Sequence, residues 1–171
     1  YNQLAWFDGV ADYVSIADHN DFSFGDGSTT DSAFSVSGWV FPNEATKCRI
    51  ISKQDEWLLT LNGSDKPLFS LYDNNASHQE QKVAADALTA GKWYHIVGTY
   101  DGTGGTSANG GMELYVNGES VGTNADAGTY AAMHNKSNAV LIGSFGTDSS
   151  FAEGCVTECS IWDKELSATE V

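Results

Sequence analysis

Positive charge is what this sequence has least of. Lysine and arginine together number 8, against 23 aspartates and glutamates, for a net charge of −15 over 171 residues. Such a field repels a nucleic-acid duplex or an anionic membrane surface, so no nucleic-acid partner is expected. Proline is nearly absent, with 2 residues, while glycine reaches 18. Cysteine is sparse and odd in number (Cys48, Cys155 and Cys159), which excludes a disulfide framework. Four positions of strand would hold Cys155 and Cys159 roughly 13 Å apart, too far to bridge. Cys48 could pair with either if the fold brought them together; buried free thiols are the alternative. No CxxC or HxxxH spacing accompanies them, so zinc is not expected. No stretch approaches the ~18 consecutive apolar residues of a membrane-spanning helix, so no membrane insertion is expected. No secretory leader is visible and the chain starts at Tyr1. The expectation is one domain, 1–171, excised from a larger protein.

What is present reads as strands. Hydrophobic residues make up 41% and aromatics 12%, enough to build a core. Short runs with period-2 alternation recur between glycine-rich turns. "QLAWFD", "DYVSIAD", "AFSVSGWVFP", "CRIISK", "EWLLTLNG", "PLFSLYD", "KWYHIVGTY", "MELYVNG", "NAVLIGS" and "CVTECSIWD" give about ten strands. Helix signals are confined to residues 84–91 and to the tail, where Ser167 and Glu170 have capping-box spacing. The fold class is therefore all-β, an antiparallel two-sheet β-sandwich.

The segment "GKWYHIVGTYDG" at residues 91–102 concentrates chemistry-bearing side chains. Alternation puts Trp93, His95, Val97 and Thr99 on one face and Tyr94, Ile96, Gly98 and Tyr100 on the other. Both faces are largely apolar, so His95 is expected to be buried and structural rather than a general base, which needs a partner and substrate access. The following loop lacks the GxxxxGK[ST] pattern of a phosphate-binding loop and leads into another strand.

Seven segments in order carry a resemblance. They are "FDGVADYVSIAD" (7–18), "FSVSGWVFP" (34–42), "ISK" (51–53), "GKWYHIVGTYDG" (91–102), "ELYVNGESVG" (113–122), "LIGS" (141–144) and "VTECSIWDKELSATEV" (156–171). The chain resembles the laminin G-like domains of the concanavalin A-like lectin/glucanase superfamily, in their bacterial and phage form. That resemblance implies a jelly-roll sandwich, often with one structural calcium. It further implies a module that binds carbohydrate or protein within a larger extracellular, cell-surface, adhesive or virion protein. Two stretches, "FSFGDGSTTDSAFSVSGWV" and "TYAAMHN", resemble copies in marine phage structural proteins.

Part of that superfamily hydrolyses glycans with an E-x-D-x-x-E strand, whose alternation places the carboxylates on one face about 5 Å apart. The pattern is absent here, as are GxSxG and HExxH, so no catalytic residue is assigned. Sugars present apolar C–H faces and many hydroxyls, and a lectin site pairs an exposed ring with carboxylates and amides. Trp6, Trp39, Trp93 and Trp162 are expected in the core. The ligand-binding candidates lie in three loops: Asp55 and Trp57; Tyr72, Asp73, Asn75 and His78; Tyr130 and His134. The expected partner is a glycan or surface glycoconjugate, with a protein partner in a larger assembly as the alternative. For metal, Asp18, Asp21, Asp26 and Asp31 crowd one loop and could offer calcium its oxygen ligands; the other reading is carboxylates capping local turns. The resemblance adds Glu158, at the acidic position of the family's final "DEV" strand. Here that strand reads "TEC", so Thr157 replaces an aspartate.

Overall fold

The structure, a computed structural model, describes residues 4–43, 48–73, 78–126, 129–146 and 150–171. Among these the alternating runs become thirteen strands: β1 (Ala5–Asp8), β2 (Val14–Ile16), β3 (Phe34–Pro42), β4 (Arg49–Lys53), β5 (Trp57–Leu61), β6 (Pro67–Tyr72), β7 (Gln79–Ala84), β8 (Tyr94–Tyr100), β9 (Met112–Val116), β10 (Glu119–Ser120), β11 (Gly122–Asn124), β12 (Val140–Ile142) and β13 (Glu153–Trp162). Two 3₁₀ turns, Asn20–Phe22 and Gly105–Gly111, interrupt them. Neither segment with a helix signal forms an α-helix. Residue 84 ends β7, and Ser167 meets Glu170 only across a turn, its backbone N–H and hydroxyl both donating to Glu170 Oε2 at 2.9 Å. Each run is too short to nucleate a helix alone.

The strands form two antiparallel sheets. One has six strands in the order β1-β13-β3-β8-β9-β10, the other seven in the order β11-β7-β6-β5-β4-β12-β2. This is the jelly-roll sandwich. Between the sheets lie Phe34, Val36, Ile50, Trp57, Leu59, Phe69, Ile96 and Tyr100, all fully buried. Phe24 stacks on Phe34 with ring centroids 4.2 Å apart and planes 3° apart. All three cysteines are free thiols, and burial pushes Cys48 and Cys159 up to about 12.

β3 shows how the sequence chooses its faces. Phe34, Val36 and Val40 enter the core. Gly38 shares their parity, and a Cβ there would come 2.6 Å from Ile50 of the facing sheet. Ser35, Ser37, Trp39 and Phe41 take the outer face. At one end that face is covered: Leu166 N–H donates to Ser35 Oγ at 2.9 Å, and Ser35 Oγ donates to the Lys164 carbonyl at 2.9 Å. At the other end, around Trp39, it is open.

Candidate functional site

The open end is built from three adjacent strands. Trp39 of β3 sits opposite His95 of β8 on one side and Thr157 of β13 on the other, and Trp6 of β1 lies opposite Cys155. The exposed large apolar side chains of this face are Leu4 (45% exposed), Trp6 (56%), Trp39 (37%) and Trp93 (38%). Leu4, Trp39, Trp93, Thr157 and Glu158 line a cleft of about 460 Å³. The expectation that Trp6, Trp39 and Trp93 belong to the core is therefore corrected. Ile96 and Tyr100 of β8 fill the interior, and Gly98 between them leaves room for the Phe69 ring. With that parity packed inward, Trp93 and His95 are turned outward.

Both cleft tryptophans are braced. His95 stacks on Trp39 with centroids 5.2 Å apart and planes 26° apart. Phe41 packs against Trp93 at 5.5 Å. His95 is half-buried rather than buried. Desolvation lowers its pKa, with Glu158 opposing, which favours the neutral, stacking form of the ring. Its strand is held by the β9–β10 turn: His95 N–H donates to Asn117 Oδ1 at 2.9 Å, and Asn117 N–H donates to the His95 carbonyl at 2.8 Å.

Glu158 reaches the cleft through a β-bulge. The β13–β3 register shifts between Thr157 and Ser160, and Glu158 has φ +50°. A bulge re-aims a side chain that regular pleating would send elsewhere. No alternation rule could have foreseen this, because the bulge has no sequence marker in "VTECS".

The three loops named from the sequence do meet, at a different place. Asp73 bridges to Met133, His134 N–H donates to the Tyr72 carbonyl at 3.0 Å, and Ala131 N–H donates to Asp73 Oδ2 at 3.1 Å. His78 Nδ1 lies 3.6 Å from Asp73 Oδ2. Desolvation first, then Lys136, lower the His134 pKa, while Asp55 and Asp73 oppose them. Asp55, Tyr72, Asp73, His78 and His134 thus share one rim; Asn75 lies outside the described residues. Trp57 and Tyr130 do not offer a ring there, contrary to the expectation. Trp57 is fully buried with Nε1 donating to the Phe22 carbonyl at 2.9 Å. Tyr130 is 1% exposed with its hydroxyl donating to Asp31 Oδ2 at 2.8 Å. A satisfied polar tip is what lets such a ring enter the core.

The four loop aspartates do not assemble around one ion, and that expectation too is corrected. Asp18 Oδ1 is 3.0 Å from Lys53 Nζ. Asp21 pairs with His19 at 3.3 Å, in solvent. Asp26 Oδ1 accepts backbone N–H bonds from Ser28, Thr29 and Thr30 at 2.7–3.0 Å. Asp31 is buried, accepting the Tyr100 and Tyr130 hydroxyls and Met133 N–H. Each found its own donor, so the residues do not fit a shared calcium. Glu158 is at the tryptophan cleft. Among the described residues no group of three or more His, Cys, Asp or Glu is placed to hold a metal.

The profile of a laminin G-like family, described as "Concanavalin A-like lectin/glucanases superfamily", matches residues 8–171. The chain belongs to that superfamily. No curated protein sequence matches this laminin G-like chain significantly. Among solved structures it is similar to a candidate carbohydrate-binding protein from Bacteroides ovatus (18% identity, TM-score 0.65), covering 96% of this chain and 45% of that one. It is also similar to the heptameric SAP-like pentraxin of Limulus polyphemus (19%, TM-score 0.53, 91% and 77%). A third likeness is to the binding domain of botulinum neurotoxin serotype G (15%, TM-score 0.65, 99% and 43%). The laminin G-like chain spans less than half the length of the first and third of these. At such identities the likeness is one of fold.

Proposed function

We propose that this chain is a non-catalytic carbohydrate-binding module, working as part of a longer extracellular, cell-surface or virion protein, and that glycan enters the Trp39–Trp93 cleft. The observation that carries the proposal is the pair of half-exposed tryptophans flanking one cleft, each braced from behind, with the Glu158 carboxylate at its edge. Indole faces suit the C–H faces of a pyranose, and a carboxylate accepts hydrogen bonds from its hydroxyls. Only one carboxylate is found among the described lining residues, whereas retaining glycosidic cleavage needs two about 5 Å apart. The fold shared with a candidate carbohydrate-binding protein is consistent with the proposal.

A glycan array with the wild-type domain, followed by titration of the best ligand, tests it. Trp39→Ala and Trp93→Ala, each checked for native far-UV circular dichroism, are expected to weaken binding roughly 30-fold, the equivalent of about 2 kcal/mol. Undiminished binding by both folded variants would move the site elsewhere, the Asp55–Asp73–His134 rim being the next place. One observation favours a protein partner instead: Leu4 and Trp6 continue the apolar surface along β1 beyond the tryptophan pair. A domain blank on the array, yet with pull-down of a protein partner lost in Trp6→Ala, would show that second use.

A further inference from the structure

β7 carries an unusual pattern. Glu80, Lys82 and Ala84 take the buried parity, opposite Leu71 and Phe69 of β6, which are themselves core residues. Each charged side chain on that parity needs a partner. Lys82 has one: its Nζ donates to Asn124 Oδ1 of β11 at 2.7 Å. Glu80 has no cationic one among the described residues. It is 4% exposed, it accepts the Asn109 backbone N–H, and its buried Oε2 finds no donor among the described residues. What its carboxylate faces is a second carboxylate, Asp126, just beyond β11. Asn109, from the Gly105–Gly111 turn, completes the group, its Nδ2 donating to Asp126 Oδ2 at 2.5 Å. Burial, and next to it Asp126, push Glu80 up to about 7. Two carboxylates are held together here, and among the described residues no cationic side chain acts on Glu80.

We propose that Glu80, Asp126 and Asn109 hold a divalent cation, calcium by preference, where the Gly105–Gly111 turn meets β7 and the end of β11. An ion there gives the buried Oε2 of Glu80 the positive partner it lacks and relieves the repulsion between the carboxylates. Turning the Asn109 amide over presents Oδ1 in place of Nδ2, making a third oxygen ligand. Asp126 is exposed, which leaves an entry path and room for water to complete the six to eight ligands calcium takes. Two carboxylates and one amide place the affinity on the order of 10⁻⁴–10⁻³ M, and magnesium, smaller and reluctant to shed water, binds less well. The site shares no residue with the tryptophan cleft or with the aspartates of residues 18–31.

The test is calorimetric titration of chelator-treated protein with calcium chloride at pH 7.5, beside melts with calcium, magnesium and chelator. Wild type is expected to bind with a Kd in that range and to gain roughly 5–10 °C at a hundredfold excess over Kd. Glu80→Gln and Asp126→Asn are each expected to weaken binding at least tenfold, while Asp26→Asn leaves it unchanged. Asp126 is at the surface, so Asp126→Asn carries the test if Glu80→Gln does not fold. Absence of both binding heat and melting shift in the wild type overturns the proposal, the carboxyls then sharing only a proton. Calcium binding that survives in both variants overturns it equally, by placing the ion elsewhere.

Discussion

His95 lies against Trp39 across the β3–β8 pair, directly opposite it in register, with 26° between the ring planes. The indole is thereby held flat although a third of it is in solvent, and its rotamer freedom is removed before any ligand arrives. Preorganisation of this kind raises affinity without adding a contact.

His95→Ala should therefore cost stability and affinity together. The stack is worth about 0.5–1.5 kcal/mol, read as a lower urea midpoint. Glycan affinity should fall severalfold as Trp39 becomes mobile. His95→Phe, which keeps a flat ring, should restore most of both. Glycan binding unchanged in a folded His95→Ala would reduce the residue to a structural role alone.

Asp31 is expected to be among the least replaceable polar residues of the fold. Its carboxylate accepts Tyr100 Oη at 2.7 Å, Tyr130 Oη at 2.8 Å and Met133 N–H at 2.6 Å, all buried. Asp31→Ala strands three donors at about 1–3 kcal/mol each, so a loss of roughly 3 kcal/mol or more is expected in urea unfolding. Tyr130→Phe removes one donor and should cost only about 1 kcal/mol. A small loss for Asp31→Ala would mean that water reaches the hub.

The exposed neighbour Asp26 should govern acid behaviour. Backbone N–H groups of Thr30, Thr29 and Ser28 lower its pKa from 3.8 to about 2. A carboxyl depressed in the folded state adds stability that is fully present above the unfolded value and is lost as pH falls through the folded one. Stability should thus decline between about pH 4 and pH 2, and Asp26→Asn should be less stable at pH 7 and flatter across that window. Melts from pH 2 to 7 on both proteins measure it; parallel curves would assign the acid sensitivity to another carboxyl.

Much of the sandwich could be read from alternation and glycine turns alone, because period 2 is a direct consequence of pleating. What alternation could not do was choose a face when both were apolar. In residues 93–100 the choice was made by Gly98, whose missing side chain admits Phe69, and that is a property of the opposing sheet. The same limit explains Trp57. It starts a strand beside Asp55 and Glu56 in a polar stretch, yet the Phe22 carbonyl, 35 positions away in sequence, satisfies its Nε1 and lets it be buried. Glu80 could not be read either. Its partner Asp126 follows β11, whose pairing with β7 is fixed by tertiary contact, and nothing local in "QEQKVA" announces it. The rim that gathers Asp55, Tyr72, Asp73, His78 and His134 was more accessible, since its loops all follow or precede strands on the seven-stranded sheet.

Pairing of β13 with β3 has a kinetic side. The cleft's two walls come from strands near opposite ends of the chain, so Trp39 cannot meet Thr157 until nearly all of the domain has left the ribosome. Topologies dominated by such distant pairings fold slowly, because the chain must be closed into a large loop before the contact rewards it. Strands β4 to β7 of the other sheet, joined in sequence by local hairpins, can form first. During synthesis the outer face of β3, Trp39 included, therefore waits for β13, and the tryptophan cleft is among the last parts of the molecule to acquire its shape.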